Sequence, residues 1–549
     1  MTLDRFKVPT SHELTILKNP DLEPMPPHRR IWGFLSFFGY WGIPNLTIWT
    51  WSTGSALVSL GLSIGHIMGA LTIGNILICI YTCLNSNPGL KYHVGYTMCQ
   101  RMIFGIYGSS LGIIVRIILS IIFYGAQAWL GGLCVVVTLS SLSENFLYLT
   151  QKLEGVQMAL RDFIGFLIFQ IIQMGFFFFK PERLNTANNV ACLITSIAFI
   201  VILIICLVKN DGPGPLYDLP NKTDNAGWMW LYAITIWYGA LSPDITNQCD
   251  YSRFASGEKS TYLGIITAIM ITGTFVPLAS LLVVSTTIEM YEEAFWLPTD
   301  LCLYWLRESY SPGVRAGNFF LGLCFISSQL TFNVLANGFT GGMDLAGILP
   351  QFINIRRGAI ITALLSWCVQ PWNFYNTSST FMSVMSSFGV VITPIIAITI
   401  CDFYLIRKAT LPISELYSTS PTGSFYFKSG VNFRALIVWI ISIFPGIPGL
   451  INSVKANPRI PVGFDNFFYG SAIFSFILPF GFYYLVCYAF PPPLNNVNDT
   501  YDYFNAFTLK ECQKLNMEPY SEAPSIEGEI VRICDSSSNK ATNDLNEFI

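Results

Sequence analysis

The chain contains 549 residues, of which 11% are charged and 52% hydrophobic, and its formal net charge is −3. Soluble domains carry roughly 25% charged residues, so this composition excludes a set of ordinary soluble domains and indicates one large membrane domain. The chain has no basic stripe, which excludes nucleic acid as a partner. Its 14 cysteines are scattered without a CxxC pair, and we expect no metal site and no cofactor.

Long runs without a charged residue predict the membrane spans. The 44 residues from 358 to 401 contain no Asp, Glu, Lys or Arg, and neither do the 60 residues from 31 to 90. A helix needs about 20 apolar residues to cross a bilayer, so each run holds two spans. Along the whole chain, these runs and the polar residues between them predict twelve spans, at 33–58, 61–83, 109–139, 162–179, 187–208, 227–248, 261–286, 316–338, 358–372, 378–402, 435–453 and 467–490.

The spans divide the chain into an N-terminal segment (1–30), a twelve-helix domain (31–490) and a polar tail (491–549) that we expect to be disordered. With both ends in the cytosol, 21 of the 30 Lys and Arg residues lie on the cytosolic side and eight lie outside. Lys and Arg concentrate on the cytosolic side of membrane proteins, so this distribution favours cytosolic termini. Two basic residues fall within spans: we expect Arg116 to extend towards the cytosolic interface and His66 to have a structural role.

Two spans are interrupted at mid-membrane by glycine and proline. Residues 39–45 (GYWGIPN) lie in span 1, and residues 238–244 (YGALSPD) lie in span 6. Proline frees backbone polar groups, which are tolerated at membrane depth only inside protein or beside a wet cavity. If spans 1–5 repeat as 6–10, the two interruptions correspond, as in transporters that bind substrate where such helices unwind. A pair of ordinary proline kinks is the alternative, and the matched positions favour a binding site.

Asp244 is the first candidate binding residue because it stands at the end of the span 6 interruption. A carboxyl group in a membrane costs several kcal/mol and is by default a functional hypothesis. Asp244 is therefore a candidate to take up a proton together with substrate. The alternative is that Asp244 caps the second half of span 6, and the residues alone support both interpretations.

Amide and aromatic side chains on neighbouring spans complete the candidate site. Tyr124 and Gln127 lie on one face of span 3 at i, i+3, and Asn333 and Asn337 lie at i, i+4 on span 8. Buried amides offer donors and acceptors that suit the edge of a heterocycle. Hydrogen bonding between helices is the alternative role for either asparagine.

Several motifs together resemble the fungal nucleobase–cation–symport-1 transporters. They occur in that family's order over residues 17–520, at 17–32 (LKNPDLEPMPPHRRIW), 100–105 (QRMIFG), 250–254 (DYSRF), 342–350 (GMDLAGILP), 356–358 (RRG), 371–373 (PWN) and 402–407 (DFYLIR). Within the family, residues 242–248 (SPDITNQ), 378–381 (SSTF) and 385–391 (MSSFGVV) look most like the yeast thiamine and nicotinamide riboside carriers. They look less like the uracil, uridine or allantoin carriers.

The resemblance implies an all-α polytopic membrane protein with twelve transmembrane helices in a LeuT-like five-plus-five inverted repeat. Helices 1 and 6 would be discontinuous, and the chain would not be an enzyme. It would take up a small molecule by alternating access, driven by protons, in the lipid bilayer of the plasma membrane.

The resemblance also assigns binding residues. In the bacterial hydantoin transporter of this superfamily, a Trp and a Gln on helix 3 hold the ring, and these positions read Phe123 and Gln127 here. The helix 8 amide corresponds to Asn337. The second stacking Trp, on helix 6, corresponds to Leu241, and Trp237 or Tyr238 are the rings nearest to it in the chain.

The family's sodium-binding hydroxyls on helix 8 correspond to Thr331 and Phe332. A phenylalanine cannot ligate sodium, which requires oxygen ligands, so this departure argues for proton coupling.

The leading hypothesis is proton-coupled uptake of thiamine or nicotinamide riboside. Both carry a permanent positive charge on an aromatic ring, which the Asp244 carboxylate and the rings of Tyr40, Trp41, Tyr124 and Tyr238 would suit. A role in binding the cation competes with a role of Asp244 in carrying the proton, and both stay open. The alternatives are a uracil, uridine or allantoin permease and a nutrient receptor that signals without transporting. A membrane-embedded enzyme is disfavoured because His66 is the sole histidine in the predicted spans and they contain no acidic pair.

Overall fold

The computed structural model describes residues 7–8, 17–153, 158–375, 377–455, 459–493 and 497–522. These residues form helices and isolated bridges, with no β-strand among them. In chain order the helices are α1 (Phe34–Asn45), α2 (Ile48–Ala56), α3 (Ile64–Asn85), α4 (Asn87–Tyr92), α5 (Tyr96–Phe104), α6 (Ser109–Leu142), α7 (Glu144–Leu147), α8 (Leu160–Phe176), α9 (Asn185–Lys209), α10 (Ala226–Thr246), α11 (Gln248–Ser252), α12 (Glu258–Tyr291), α13 (Pro298–Glu308), α14 (Pro312–Phe332), α15 (Thr340–Ile348), α16 (Ile355–Leu365), α17 (Ser378–Cys401), α18 (Phe433–Ile443), α19 (Gly446–Val454), α20 (Val462–Tyr469), α21 (Ser471–Ala489) and α22 (Leu509–Leu515). Two π-helical segments (Asn333–Phe339 and Asp402–Ile406) and several 3₁₀ turns join them.

Every predicted span coincides with helix, and the all-α membrane fold is confirmed. Within the described residues, eight helices are long and apolar enough to cross a membrane. Predicted spans 1, 4, 6 and 9 are not among those eight: span 1 is divided into α1 and α2, span 4 is the 17-residue α8, and span 9 continues from α16 into 3₁₀ turns. The count of twelve therefore stays a prediction.

The long helices differ in how much of their surface other helices cover. α9 and α18 expose leucine and isoleucine side chains such as Leu193, Ile204 and Ile440. α17 is the most buried of the eight membrane-spanning candidates, and it packs against α10 and α21. Apolar side chains exposed on helices of this length face lipid. The centre of the bundle is therefore formed by α1, α2, α6, α10, α17 and the first π segment.

Span 1 is broken, as the sequence predicts. α1 ends at Asn45 and α2 begins at Ile48, with Thr47 extended between them (φ −110°, ψ 161°). The hydroxyls of Thr47 and Thr50 donate to the Pro44 carbonyl at 2.8 and 2.6 Å. The interruption leaves the Pro44 carbonyl without a backbone donor, and these two hydroxyls supply hydrogen bonds in its place.

Span 6 is also discontinuous, but its break lies later than the sequence predicts. α10 continues through Pro243 and Asp244 to Thr246, and the chain bends at Asn247 before α11. Pro243 leaves the Gly239 carbonyl without its helical donor, and the Ser242 hydroxyl donates to that carbonyl at 3.0 Å, so the helix persists. The alternative that Asp244 caps the second half of span 6 is therefore wrong, because Asp244 lies in the last turn of the first half.

Span 8 is longer than predicted and changes its helical period. α14 passes into a π-helical segment at Asn333–Phe339, and α15 then continues to Ile348, whereas the predicted span ends at 338. π-helical turns occur frequently at functional sites because the extra residue re-aims side chains. Both candidate asparagines lie within this segment.

One end of the bundle carries residues 17–30, the 86–96 connection and residues 497–522, and we call it the N-terminal face. The Met25 backbone N–H donates to the His93 carbonyl, and Arg30 forms a bidentate ion pair with Glu511 at 2.7 and 3.0 Å. Residues 497–522 are thus folded against this face, and the disorder predicted for 491–549 is wrong for them. The rest of the predicted division into 1–30, 31–490 and 491–549 stays a prediction. Residues 494–496 and 523–549 of the tail lie outside the described part of the chain.

Candidate functional site

Aromatic rings form the outer layer of the candidate site, on the side of the span 1 break away from the N-terminal face. Phe123 on α6 lies between Trp49 on α2 and Phe388 on α17, with ring centroids at 5.2 and 4.3 Å. Trp49 also contacts Phe381 on α17 edge to face at 5.4 Å. Three helices therefore meet through aromatic contacts at the position that the family resemblance assigns to the stacking ring.

Gln127 lies one helical turn beyond Phe123, and its whole side chain is buried. Neither the oxygen nor the nitrogen of its amide has a hydrogen-bond partner among the described residues. Buried polar groups in native proteins almost always have partners, and an unpaired one costs about 1–3 kcal/mol. An amide kept in this condition is suited to a ligand that supplies the missing partners.

The two asparagines of span 8 form one connected network. Asn333 donates from Nδ2 to the Tyr124 carbonyl at 3.1 Å and to Oε1 of Gln173 on α8 at 2.6 Å. Asn337 in turn donates to Oδ1 of Asn333 at 2.9 Å. Asn333 thus joins the first π segment to α6 and α8. Hydrogen bonding between helices is the alternative role that the sequence left open for it. Asn337 bonds within its own segment and remains the better candidate for binding substrate.

Tyr124 and Tyr238 are buried but belong to helix contacts at the edge of the site. The Tyr124 ring faces Phe177 and Gly338, and its hydroxyl has no partner among the described residues. The Tyr238 hydroxyl accepts a hydrogen bond from Thr393 at 3.2 Å, and its ring meets Tyr81 edge to face. Of the two rings, Tyr124 is the one with a hydroxyl available for a ligand.

The inner layer of the site, towards the N-terminal face, contains charge. Asp244 is buried and interacts electrostatically with Arg116 on α6 and with Tyr40 on α1. Arg116 donates to the Ser120 hydroxyl at 3.0 Å. Asn247 lies at the span 6 break. In the amide orientation that gives both its oxygen and its nitrogen hydrogen-bond partners, the amide oxygen accepts a hydrogen bond from Arg116 at 3.1 Å.

Of the sequence expectations about Arg116 and His66, the one for Arg116 differs from the structure, whereas His66 has a local structural contact as expected. Arg116 is 1% exposed and holds the centre of the bundle, so the prediction that it extends to the interface is wrong. Burial of Arg116 is possible because Ser120 and Asn247 accept hydrogen bonds from its two terminal nitrogens, and its Nε alone has no partner among the described residues. His66 is exposed at the start of α3, where its ring bonds the Ser63 hydroxyl at 2.8 Å, and it takes no part in the site.

Trp41 joins the two discontinuous spans on the N-terminal face. Its indole N–H donates to Oε1 of Gln248 on α11 at 2.9 Å. One residue earlier, the ring of Tyr40 stacks on Tyr251 of α11 with centroids 4.1 Å apart. These contacts hold α1 to α11 and close the centre of the protein from that end.

The candidate residues therefore occupy two levels. Arg116 and Gln127 are 11 residues apart on one helix, which corresponds to about 16 Å along the axis. Phe123, Gln127 and Asn333 belong to the outer level, Asp244 and Trp41 belong to the inner level, and Asn337 lies between them. Two cavities, of about 80 Å³ beside Gly61 and Lys222 and about 10 Å³ beside Asp21 and Arg253, lie elsewhere.

Several residues of the site were missed by the sequence analysis. Phe381 and Phe388 stand seven residues apart on α17, a spacing that places them on one face and could have indicated a shared role. Gln173 is one of two amides in an apolar span, with Gln170 three residues before it, and this spacing is a weaker signal. Gln248 gave no signal because it directly follows a break whose position was predicted too early.

Comparisons with known proteins identify the family. A family model described as permease for cytosine/purines, uracil, thiamine, allantoin matches residues 24–472. The chain belongs to this family. It is 41% identical to thiamine transporter THI72 of Saccharomyces cerevisiae over 523 residues, which cover 94% of this chain and 87% of that one. It is 42% identical to nicotinamide riboside transporter 1 of the same yeast over 523 residues, with the same coverage.

The fold agrees with a solved member of the superfamily. The structure of Mhp1, a nucleobase-cation-symport-1 family transporter, in a closed conformation with bromovinylhydantoin bound, superposes with a TM-score of 0.65 at 18% identity. The superposition covers 91% of this chain and 99% of that one. The protein is therefore a multi-pass membrane transporter of the nucleobase–cation–symport-1 family with a LeuT-like fold, and it is not an enzyme.

Proposed function

We propose that this transporter carries out proton-coupled uptake of thiamine or nicotinamide riboside across the plasma membrane, with both termini in the cytosol. The thiamine and nicotinamide riboside transporters of yeast, each about two-fifths identical over nearly the whole chain, support this substrate class. Substrate would pass by alternating access, which requires only that two states of similar free energy interconvert.

The observation that carries the proposal is the buried carboxyl group of Asp244 below an aromatic layer. Thiamine and nicotinamide riboside each carry a fixed positive charge on an aromatic ring. The charge favours the neighbourhood of a carboxylate by Coulomb attraction, and aromatic faces attract it further. Uracil, uridine and allantoin are neutral and gain little from Asp244, which disfavours them as substrates.

The unpaired Gln127 amide and the Asn337 amide would bind the polar edge of the substrate. The two levels of the site support a bound molecule that extends from Gln127 towards Asp244. Phe123, Trp49 and Phe388 would cover it from the outer side. In this arrangement the outer layer selects shape and hydrogen bonding, whereas the inner layer selects charge.

Proton coupling is supported by the helix 8 positions that hold sodium elsewhere in the family. Phe332 offers no oxygen ligand, and the Thr331 hydroxyl donates to the Ser327 carbonyl at 3.0 Å. A sodium ion requires several oxygen ligands at close range. The described residues at this position therefore favour a proton as the driving ion.

The test is uptake of labelled thiamine in cells that lack their own carriers, with unlabelled competitors. Nicotinamide riboside is expected to compete, whereas uridine, uracil and allantoin are expected to compete at least tenfold more weakly. Uptake should fall when a protonophore collapses the proton gradient and should be indifferent to sodium. Strong competition by uridine or uracil without competition by nicotinamide riboside would contradict the substrate class. Binding without flux in reconstituted vesicles would instead indicate a receptor.

A further inference from the structure

A second buried carboxyl group lies in the same region without any role in the proposed binding of substrate. Asp344 on α15 is completely buried, and neither of its carboxylate oxygens has a hydrogen-bond partner among the described residues. The hydroxyl of Ser120 on α6 is close enough to interact with Asp344, but the two groups do not meet hydrogen-bond geometry. Asp344 lies seven residues beyond Asn337, which is about two helical turns towards the N-terminal face.

Arg116 interacts electrostatically with both buried acids, but its hydrogen-bond partners are neutral groups. Arg116 interacts electrostatically with Asp344 and with Asp244, yet in the described part of the chain it forms no ion pair within 4.0 Å of either. Its two terminal nitrogens bind the Ser120 hydroxyl and the Asn247 amide. Arg116 therefore links spans 3 and 6 and leaves Asp344 without a bonded counter-charge.

The other charged or titratable groups around Asp344 are also bound elsewhere. On α11, Asp250 accepts the Tyr96 backbone N–H at 2.9 Å, and on α5 the Tyr96 hydroxyl donates to the Gly112 carbonyl. Arg253 on α11 donates to the carbonyls of Asp250 and Asp21.

The arginines of α16, which packs directly on α15, do not serve Asp344. Arg356 donates to the Phe178 carbonyl and Arg357 to the Phe352 carbonyl. Gln100 on α5 is completely buried and has no partner for either amide atom among the described residues. The surroundings thus contain further unsatisfied polar atoms, in Gln100 and at Oδ2 of Asp250, and no hydrogen bond to Asp344 among the described residues.

An ionised carboxylate in this position would be far more costly than a neutral carboxylic acid, because it would be buried with no hydrogen-bond donor. A proton removes that cost without requiring any other group to move.

We propose that Asp344 is the proton-binding residue of this transporter and that Asp244 is thereby left free to pair with a cationic substrate. The inference rests on the proposed function and deepens it, because it separates the two roles that compete for Asp244. In the step itself, one proton adds to a carboxylate oxygen of Asp344 before the protein closes, and it leaves to water when the N-terminal face opens. Arg116 is a positioning residue that holds spans 3 and 6 beside this carboxyl group.

The experiment compares purified full-length wild type, Asp344→Asn, Asp344→Glu and Asp250→Asn in proteoliposomes. Accumulation of labelled thiamine driven by a pH gradient is measured beside thiamine counterflow, which needs no net proton movement. In Asp344→Asn, accumulation driven by the pH gradient is expected to be at least tenfold lower than in wild type, whereas the counterflow rate should stay within threefold of wild type. Asp344→Glu should restore driven accumulation, and Asp250→Asn, a buried acid with its own backbone donor, should keep it. Driven accumulation by Asp344→Asn at the wild-type ratio of protons to thiamine would overturn the proposal.

A second measurement does not depend on the substrate. Infrared difference spectra of the protein without substrate, recorded between neutral and alkaline pH, should contain a carboxylic-acid C=O band that is absent in Asp344→Asn. Persistence of that band in Asp344→Asn would overturn the assignment. The proposed function is contradicted if the wild-type protein transports thiamine with sodium, or transports neither thiamine nor nicotinamide riboside. In that case the infrared spectra alone test whether Asp344 binds a proton.

Discussion

Trp41 and Gln248, which are 207 residues apart in the chain, are joined by a hydrogen bond of 2.9 Å between the two discontinuous spans. The contact connects α1 to α11. Both are short helices that lie between the breaks and the N-terminal face. Beside this hydrogen bond, the ring of Tyr40 stacks on Tyr251. The two half-helices are therefore held together at this end of the protein.

Trp41→Phe should remove this hydrogen bond and keep the aromatic contact. The Gln248 amide would then lose a buried partner, at a cost of about 1–3 kcal/mol in the free energy of unfolding. Gln248→Leu should cost about as much alone, and the double variant should cost clearly less than the sum. Thermal unfolding of the four purified proteins measures this coupling. Strictly additive effects would show that the bond does not join α1 to α11 in the membrane.

Gln127→Ala should weaken transport without weakening the fold. Because the Gln127 amide bonds no described residue, its removal should leave the melting temperature unchanged. If the amide binds substrate through one or two hydrogen bonds, the apparent affinity for thiamine should fall about tenfold.

Asn333→Ala is the matched control because it lies on the same level and has three bonded neighbours. It should lower the free energy of unfolding by about 1–3 kcal/mol, since it leaves the buried amides of Gln173 and Asn337 without partners. Uptake kinetics and thermal unfolding of both variants check the distinction. A destabilised Gln127→Ala protein with normal uptake would remove Gln127 from the site.

The sequence predicted the helices well because apolar length and the absence of charge determine where a chain crosses a membrane. It placed the span 6 break several residues too early, because the rule that proline ends a helix does not account for a Ser242 hydroxyl that bonds the freed carbonyl. It missed the role of Arg116, which depends on Ser120 nearby and on Asn247, a partner 131 positions away. It ended span 8 at 338, so Asp344 lay outside the predicted spans although the helix continues past it. Local patterns thus predict elements, whereas contacts between distant elements decide which polar groups share the interior.

Asp244→Asn should discriminate between charged and neutral compounds. The substitution keeps the shape of the side chain and removes the negative charge that would attract a cationic ring. Inhibition of uptake by thiamine and nicotinamide riboside should weaken at least tenfold, whereas the weak inhibition by uridine should change less than twofold. Competition assays on cells with matched surface expression provide the measurement. An equal loss for all three compounds would mean that Asp244 has a structural role.

Arg30→Ala should release the folded segment 497–522 from the N-terminal face. Arg30 holds Glu511 through two hydrogen bonds, and a partly exposed ion pair of this kind contributes about 0.2–1 kcal/mol. Hydrogen–deuterium exchange in peptides from 502 to 518 should therefore become about 1.4- to fivefold faster. Combining Arg30→Glu with Glu511→Arg should restore slow exchange. Unchanged exchange in Arg30→Ala would show that other contacts hold the segment.

The same contact should withstand moderate acid. Burial opposes the effect, but hydrogen bonds from His93 and Arg30 hold the pKa of Glu511 well below its ordinary value. A lowered pKa means that the contribution is fully present above the ordinary glutamate pKa of about 4.3 and is lost only as the pH falls through the lowered value. Exchange in 502–518, corrected for its intrinsic dependence on pH, should not rise between pH 7 and 5. A marked rise in that interval would contradict the role of Glu511.

The most direct test of the whole account is an electron cryo-microscopy map of the purified protein with saturating thiamine. Density for the ligand is expected between α2, α6, α10 and the first π segment, in contact with Gln127 and with a ring nitrogen directed towards Asp244. Density in the cavity beside Gly61 and Lys222, or continuous helix through residues 45–48 in the bound state, would contradict it.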